Sequence, residues 1–212
     1  TKWTSAFDYN HGWRVSDHPR MFADVDGDGD DDAVGFGLDG IYVALSDGSS
    51  FAANATKWTS ALDYNHGWRV SDHPRMFADV DGDGMDDAVG FGLNGIYVAL
   101  STGGGFAADA TLWTTAFDYN HGWRVSDHPR LFADMNGDGK DDAIGFGLDG
   151  VYVALSDGQH LAKSAIRGTT AFDYQHGWRV LDHPRMLADV NGDGMADAVG
   201  FGLDGIYIAL AQ

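Results

Sequence analysis

Cysteine is absent from the 212-residue chain, so it can form neither a disulfide framework nor a thiolate metal site, and cysteine usage assigns no redox compartment. Glutamate is absent too: all 32 acidic residues are aspartates. Aspartate favours turns and caps over helix interiors, so together with 30 glycines it makes the chain read as strands joined by turns. Basic residues are scarce, 13 lysines and arginines, which leaves a formal charge of −19 at pH 7. Such a surface repels phosphates and anionic headgroups; nucleic acid is an unsuitable partner and divalent cations are natural ones. No apolar run approaches the roughly 18 residues needed to cross a bilayer, so membrane insertion is not expected, and no basic stretch leads into an apolar segment as in a signal peptide. The chain opens at Thr1 without an initiator Met, as a processed or purified mature form would.

What is present is repetition. "DYNHGWRVSDHPR" begins at Asp8, Asp63 and Asp118, and returns as "DYQHGWRVLDHPR" at Asp173. The period is 55 residues without insertion, giving copies 1–55, 56–110, 111–165 and 166–212 of one single domain. A fixed period of this kind signals units that bury their apolar faces against their neighbours. Each copy contains four short apolar bursts, in the first "KWTSAF" (Lys2 to Phe7), "RMFADV" (Arg20 to Val25), "DDAVGFG" (Asp31 to Gly37) and "IYVALS" (Ile41 to Ser46). Their length and their aromatic and β-branched content suit strands, and Asp39-Gly40 suits a tight hairpin. No apolar period of 3.6 residues is long enough for a helical solenoid. The expected fold is all-β, a small β-propeller of four four-stranded blades. The phase of the ends predicts that the Thr1 strand completes the last blade, which stops after its third strand, and closes the ring. Two chains joined head to tail as an eight-bladed homodimer satisfy the same phase.

Each copy also holds an aspartate-rich loop. Its positions 1, 3, 5 and 9 are Asp24, Asp26, Asp28 and Asp32; then Asp79, Asp81, Asp83 and Asp87; Asp134, Asn136, Asp138 and Asp142; and Asp189, Asn191, Asp193 and Asp197. Alternate residues in a tight turn converge their oxygens, and Ca²⁺ takes about 6 to 8 oxygens at roughly 2.3–2.6 Å. Position 7 varies as Asp30, Met85, Lys140 and Met195, which suits a backbone-carbonyl ligand. An EF-hand would need a Glu where Gly35 stands, and helices on both sides. About four Ca²⁺ per chain are expected, each holding a blade in register.

Through "DVDGDGDDDAVGFG" and its three relatives the sequence resembles the FG-GAP/VCBS repeats of integrin-like calcium-binding β-propellers. It has the Phe-Gly element, as Phe36-Gly37, without Gly-Ala-Pro, and four copies where such propellers commonly have seven. The resemblance implies calcium on the Asp and Asn positions above. Its members include integrin-type adhesion heads and mushroom lectins, and this small, repetitive, cysteine-free chain is more similar to the lectins.

The repeated string concentrates eight of nine arginines and eight of nine histidines of the chain. Chain alternation places it at the end of each blade opposite the aspartate loop, beside the Asp39-Gly40 hairpin. One reading is packing: Trp13 buried, with Arg14 and Arg20 paired to Asp8 or Asp17. The other is recognition of a sugar, whose C–H face lies on an aromatic ring while its hydroxyls meet planar donors and acceptors. The candidate residues are Tyr9, Asn10, His11, Trp13 and Arg14; Tyr64, Asn65, His66, Trp68 and Arg69; Tyr119, Asn120, His121, Trp123 and Arg124; and Tyr174, Gln175, His176, Trp178 and Arg179. Catalysis by His11, His18 and Asp17 fits poorly, because four equivalent active sites are unusual and Ser16 becomes Leu181 in copy four. A histidine Zn²⁺ site matches no standard spacing. Four weak sites gain by avidity, so the expectation is a non-enzymatic, calcium-stabilised multivalent lectin for glycans or small sugars. An integrin-like protein-binding module is the alternative. Copy four departs most, with Gln175, Leu181 and "IRG" at Ile166 to Gly168, and its site is expected to be weaker. The sequon Asn54-Ala55-Thr56 points to secretion, with cytoplasmic storage as the other option.

Overall fold

Short apolar bursts separated by Asp-Gly turns have one way to satisfy their backbone, which is to pair with the next burst. In the computed structural model, which describes residues 1–212, they do so as antiparallel sheets whose strands run in chain order. The first contains β1 (Arg20–Ala23), β2 (Asp32–Phe36), β3 (Ile41–Ala44) and β4 (Thr56–Thr59). The second contains β5 (Arg75–Ala78), β6 (Asp87–Phe91), β7 (Ile96–Ala99) and β8 (Thr111–Thr114). The third contains β9 (Arg130–Ala133), β10 (Asp142–Phe146), β11 (Val151–Ala154) and β12 (Ile166–Thr169). The last contains β13 (Arg185–Ala188), β14 (Asp197–Phe201) and β15 (Ile206–Ala209). The single helical element is a 3₁₀ turn, Tyr9–His11. The all-β expectation and the four blades therefore hold.

Register is dictated by the repeat. Arg20 faces Gly35 and Ala23 faces Asp32 across β1 and β2, while Phe36 faces Ile41 across β2 and β3. Strands β2, β6 and β10 are buried at every residue, which explains why the run after their leading Asp, "AVGF" or "AIGF", carries no polar side chain instead of alternating. The chain packs as two compact units. One is Thr1–Asp79, Asp83–Gly92 and Tyr97–Leu112; the other is Val80–Gly82, Leu93–Ile96 and Trp113–Gln212. In the first, Val25, Val34, Phe36, Ile41, Leu62 and Phe106 form the core, with Phe36 stacked on Phe77 at 5.0 Å. In the second, Ile144, Phe146, Val151 and Phe172 do the same. Each fully buried side chain of this size contributes about 1.5–3 kcal/mol.

The ends differ from the sequence expectation. Lys2 to Phe7 forms no strand, and the last sheet has three members, so the Thr1 segment does not complete it. The segment docks on its own copy instead. Thr4 Oγ1 donates to Ala52 O (2.9 Å), and Trp3 lies 5.2 Å from Phe51, as Thr59 bonds Ala107 O and Trp58 lies 5.3 Å from Phe106 in the next copy. Its side-chain contacts are thus made while its pairing edge is left over.

Candidate functional site

The repeated string is a strained turn held by its own arginines. Phe7 adopts φ 61°, and Leu62, Phe117 and Phe172 adopt 55°, 60° and 60°, a left-handed conformation uncommon for bulky residues. This turns each carbonyl toward a guanidinium: Arg20 donates to Phe7 O (2.9 Å), Arg75 to Leu62 O (3.1 Å) and Arg185 to Phe172 O (3.2 Å). Burial pushes Arg75 and Arg185 down to about 10, so both remain charged at neutral pH. Asp8 then caps the 3₁₀ turn, accepting from His11 N (2.9 Å) and pairing with His11 Nδ1 (2.7 Å). These contacts, the backbone bond first, hold its carboxyl below the ordinary range. Arg14 lies 3.6 Å over the Tyr9 ring and donates to Tyr9 O and Trp13 O. The arginines are therefore bound to carbonyls and rings, where the packing reading expected Asp8 or Asp17.

The turn delivers Trp13 flat against the blade. A Cβ at Gly35 would come within 2.6 Å of the Trp13 ring, so glycine at this strand position is what admits the indole. Phe7 packs on Trp13 edge to face at 4.8 Å, and Tyr42 does so at 6.1 Å. His18 is buried, its ring 5.4 Å from Trp13, with Nδ1 accepting from Arg14 N (3.1 Å). Desolvation keeps its pKa below the usual imidazole value, consistent with a neutral ring whose proton is on Nε2.

Between this turn and the hairpin after β2 a cleft of about 610 Å³ opens. His11, Trp13 and His18 line it from the string, and Leu38, Asp39 and Tyr42 from the hairpin. Asp39 accepts from the Tyr42 hydroxyl (2.9 Å) and from Lys57 Nζ (3.2 Å). Those two partners hold it below the normal carboxylate range, so the lip presents an ionised acceptor. The cleft recurs in copy three, about 440 Å³, with His121, Trp123, Asp149 and Tyr152. There Tyr152 donates to Asp149 (2.6 Å) and Arg167 takes the role of Lys57 (2.9 Å). It recurs again in copy four, about 610 Å³, with His176, Trp178, Asp204 and Tyr207. In copy two Trp68 meets Tyr97 edge-on at 5.9 Å, and Asn94 stands where the others have Asp, accepting from Asn120 Nδ2 (2.9 Å).

Of the sequence candidates, the structure brings His11, His121, His176, Trp13, Trp123 and Trp178 to cleft walls. Tyr9, Asn10 and Arg14, with their counterparts Tyr119, Asn120 and Arg124, and Tyr174, Gln175 and Arg179, are not among those walls. Arg69, Arg124 and Arg179 repeat the Arg14 stack, 3.7 Å over Tyr64, Tyr119 and Tyr174. His66 pairs with buried Asp63 (2.8 Å), as His11 does with Asp8, and Asn65 N donates to Leu38 O (2.8 Å). The residues the sequence reading passed over are Leu38, Asp39, Tyr42 and their equivalents. Their signal was available: the hairpin recurs at the same period and was already placed beside the string.

At the opposite end the aspartate loops fold around themselves. Asp24 accepts from Gly27 N (2.8 Å) and Gly29 N (2.9 Å), both glycines being left-handed, and Asp32 accepts from Ser46 N (2.7 Å) and Val25 N (3.3 Å). Carboxylate oxygens of Asp24, Asp26 and Asp28 lie within 4.8 Å of one another, as do those of Asp79, Asp81 and Asp87. Burial, with neighbouring carboxylates, pushes Asp32 and Asp142 up to about 6. Oxygen donors converging where like charges raise a pKa fit a hard cation. In copies three and four a neutral amide enters: Asn136 Nδ2 donates to Asp138 Oδ2 (3.3 Å) and Asn191 Nδ2 to Asp193 Oδ2 (2.8 Å), while Lys140 Nζ also reaches Asp138 (3.1 Å). Position 7 carries a role the sequence did not reveal. The Met85 side chain covers Gly27 of the preceding loop, Lys140 covers Gly82 and Met195 covers Gly137.

No protein-family model and no curated protein matches the chain. Among solved structures, an Agrocybe aegerita lectin described as recognising non-reducing terminal N-acetylglucosamine matches 99% of this chain at 38% identity and a TM-score of 0.90. The match covers 53% of that lectin, so the chain spans about half its length. The Photorhabdus luminescens Tc holotoxin pore matches 97% of this chain and 9% of its own at 17% identity and a TM-score of 0.64, a likeness of fold alone. The chain is thus built of propeller blades similar to those of a sugar-recognising lectin.

Proposed function

We propose that this protein is a multivalent carbohydrate-binding protein, with one shallow sugar site in the cleft of each repeat. The observation that carries the reading is the wall set that recurs in copies one, three and four: an indole, a tyrosine edge, an exposed leucine, and an aspartate that accepts from its own tyrosine, held below the ordinary carboxylate range at Asp39 and Asp149. A pyranose lays its C–H face on the indole, its hydroxyls donate to Asp39 and exchange bonds with His11, and Leu38 offers apolar contact of the kind an acetamido methyl would use. The likeness to a lectin of terminal N-acetylglucosamine supports that sugar as the first to try. A non-enzymatic role is supported by the likeness to a lectin. The Tyr–Arg stacks beside each cleft would shape its rim, with Tyr9, Asn10 and Arg14 reached only by a longer glycan.

In this reading Ca²⁺ on Asp24, Asp26, Asp28 and Asp32, and on the equivalent groups of the other copies, neutralises the crowded carboxylates and stiffens the blade from the other end. It takes no part in sugar contact. The FG-GAP/VCBS likeness of "DVDGDGDDDAVGFG" supports the assignment. Export from the cell, where Ca²⁺ is plentiful, suits these loops. Binding to a glycan array with inhibition by free N-acetylglucosamine tests the function. Binding to a polypeptide that no sugar displaces would instead establish an adhesion module.

A further inference from the structure

A buried cation needs a counter-charge, and two arginines of this chain have none in the protein. Arg75 and Arg185 are 4% and 7% exposed, and neither has a carboxylate at ion-pair distance. With 32 aspartates in the sequence, acid is not in short supply. Nη1 of each guanidinium is spent on a carbonyl, Leu62 O (3.1 Å) and Phe172 O (3.2 Å). Nε and Nη2 of each are buried and meet no acceptor. These two N–H groups point the same way and form the fork that binds an anion by two bonds at once. The same edge is left over in both compact units.

The surroundings of each fork add donors and positive charge. At the junction of copies one and two, the Arg75 guanidinium lies 5.3 Å from the centre of the Phe36 ring, and Phe36 N donates to the carbonyl of Pro19, next to His18 (3.0 Å). His18 is 6% exposed; its Nδ1 accepts from Arg14 N, which puts the ring proton on Nε2, and Nε2 is also buried without a partner. Desolvation lowers the pKa of His18, and the charges of Arg20, Arg75 and Arg14 add to it, against Asp17. Burial, then Arg69, pushes Arg75 down to about 10; Asp63 opposes this, but its Oδ1 already accepts from His66 N (2.7 Å). Copies three and four repeat the pattern. Arg185 lies 5.7 Å from the Phe146 ring centre, and His128, whose Nδ1 accepts from Arg124 N (3.2 Å), feels Arg130, Arg185 and Arg124 against Asp127. Each junction lies inside one unit, and Arg75 is in mid-chain.

Burying an unpaired charge costs far more than burying a neutral group. Water can fill the open hydrogen bonds, but it leaves the charge uncompensated. We infer that each of these two junctions holds a small monovalent anion of the chloride type on the Nε/Nη2 fork of Arg75 or Arg185, with the Nε2 proton of His18 or His128 as a further donor. The ion joins neighbouring repeats from within. His18 also lines the cleft of copy one, so the ion stands behind that wall and takes no part in sugar contact. The inference holds whether or not the clefts bind sugar.

Crystals of the sugar-free protein grown with bromide in place of chloride read the site directly. Anomalous density is expected at the forks of Arg75 and Arg185; ordered water or a protein acceptor at both forks, without such density, overturns the inference. In solution, replacing chloride by gluconate at equal ionic strength should lower the melting temperature by at least about 2–4 °C, because the larger anion does not fit a closed junction. Arg185→Met keeps the apolar stem while removing fork and charge together, and should make the fall smaller. A melting temperature indifferent to the exchange contradicts the inference, as does a folded variant that responds as strongly as the parent.

Discussion

The two ends of each blade use aspartate in opposite ways. In the loop, Asp24 and Asp32 accept from backbone N–H groups and are crowded by the carboxylates of Asp26 and Asp28, and burial drives Asp32 up to about 6. At the cleft, Asp39 is held by Tyr42 and Lys57, is driven down, and keeps its lip open to solvent. One residue type thus serves a site that wants a cation and a site that offers an acceptor, and the difference lies in which donors surround it.

The largest effect should come from the loop end. Saturating Ca²⁺, at about 100 times its Kd, is expected to add about 2.7 kcal/mol per filled site, read as a rise in melting temperature that chelation reverses. Asp24→Ala should remove a share of that rise and leave sugar affinity within about twofold, as expected for sites without a shared partner. A Ca²⁺-independent melting temperature would break the contrast at its source. Next, Gly145→Ala places a Cβ 2.5 Å from the Trp123 ring and 2.6 Å from Phe117. It should cost about 1–3 kcal/mol and abolish binding at that cleft, with Ca²⁺ affinity retained. Equal sugar binding by the variant would show that the indole is no wall.

Tyr152→Phe tests the cleft carboxylate alone. Removing the 2.6 Å hydrogen bond to Asp149 frees that group to swing, and sugar affinity at this cleft should fall about tenfold with little change in melting temperature. The smallest effect is pH-dependent. Desolvation lowers the pKa of His18 and His128 in the fold, so their contribution is complete above the unfolded value near 6.5 and is lost as pH falls through it toward the folded value. Asp32 and Asp142, raised to about 6, act oppositely, gaining stability as pH falls. Comparing the parent with His128→Asn, whose amide oxygen can still accept from Arg124 N, isolates the histidine part: the variant should lose less stability than the parent between pH 7.5 and pH 5.5. An identical pH profile would contradict a half-buried ring that stays neutral.

Much of this was legible because a repeat reports its own boundaries. The 55-residue period, the "DAVGF" runs and the Asp-Gly hairpin are local signals, and they specify the sheets that form. The position of Gly35 under Trp13 was not legible, since it depends on a residue 22 positions away meeting a strand through space. Nor was the role of the arginines. Their partners are the carbonyls of Phe7, Tyr9 and Trp13, and a carbonyl has no letter in a sequence. The terminal segment was misplaced for a related reason: sequence phase says which strand is missing, whereas docking of Thr4 on Ala52 depends on a neighbouring loop.

The chain has seven tryptophans: Trp13, Trp123 and Trp178 line clefts and Trp68 takes the equivalent place against Tyr97 in copy two, while Trp58 and Trp113 lie on outer strands and Trp3 in the terminal segment that docks as they do. A ¹H–¹⁵N titration of the indole N–H signals with N-acetylglucosamine reads each one separately. The account predicts shifts confined to the first four; shifts confined to the other three, or none with any of a panel of monosaccharides, would contradict it.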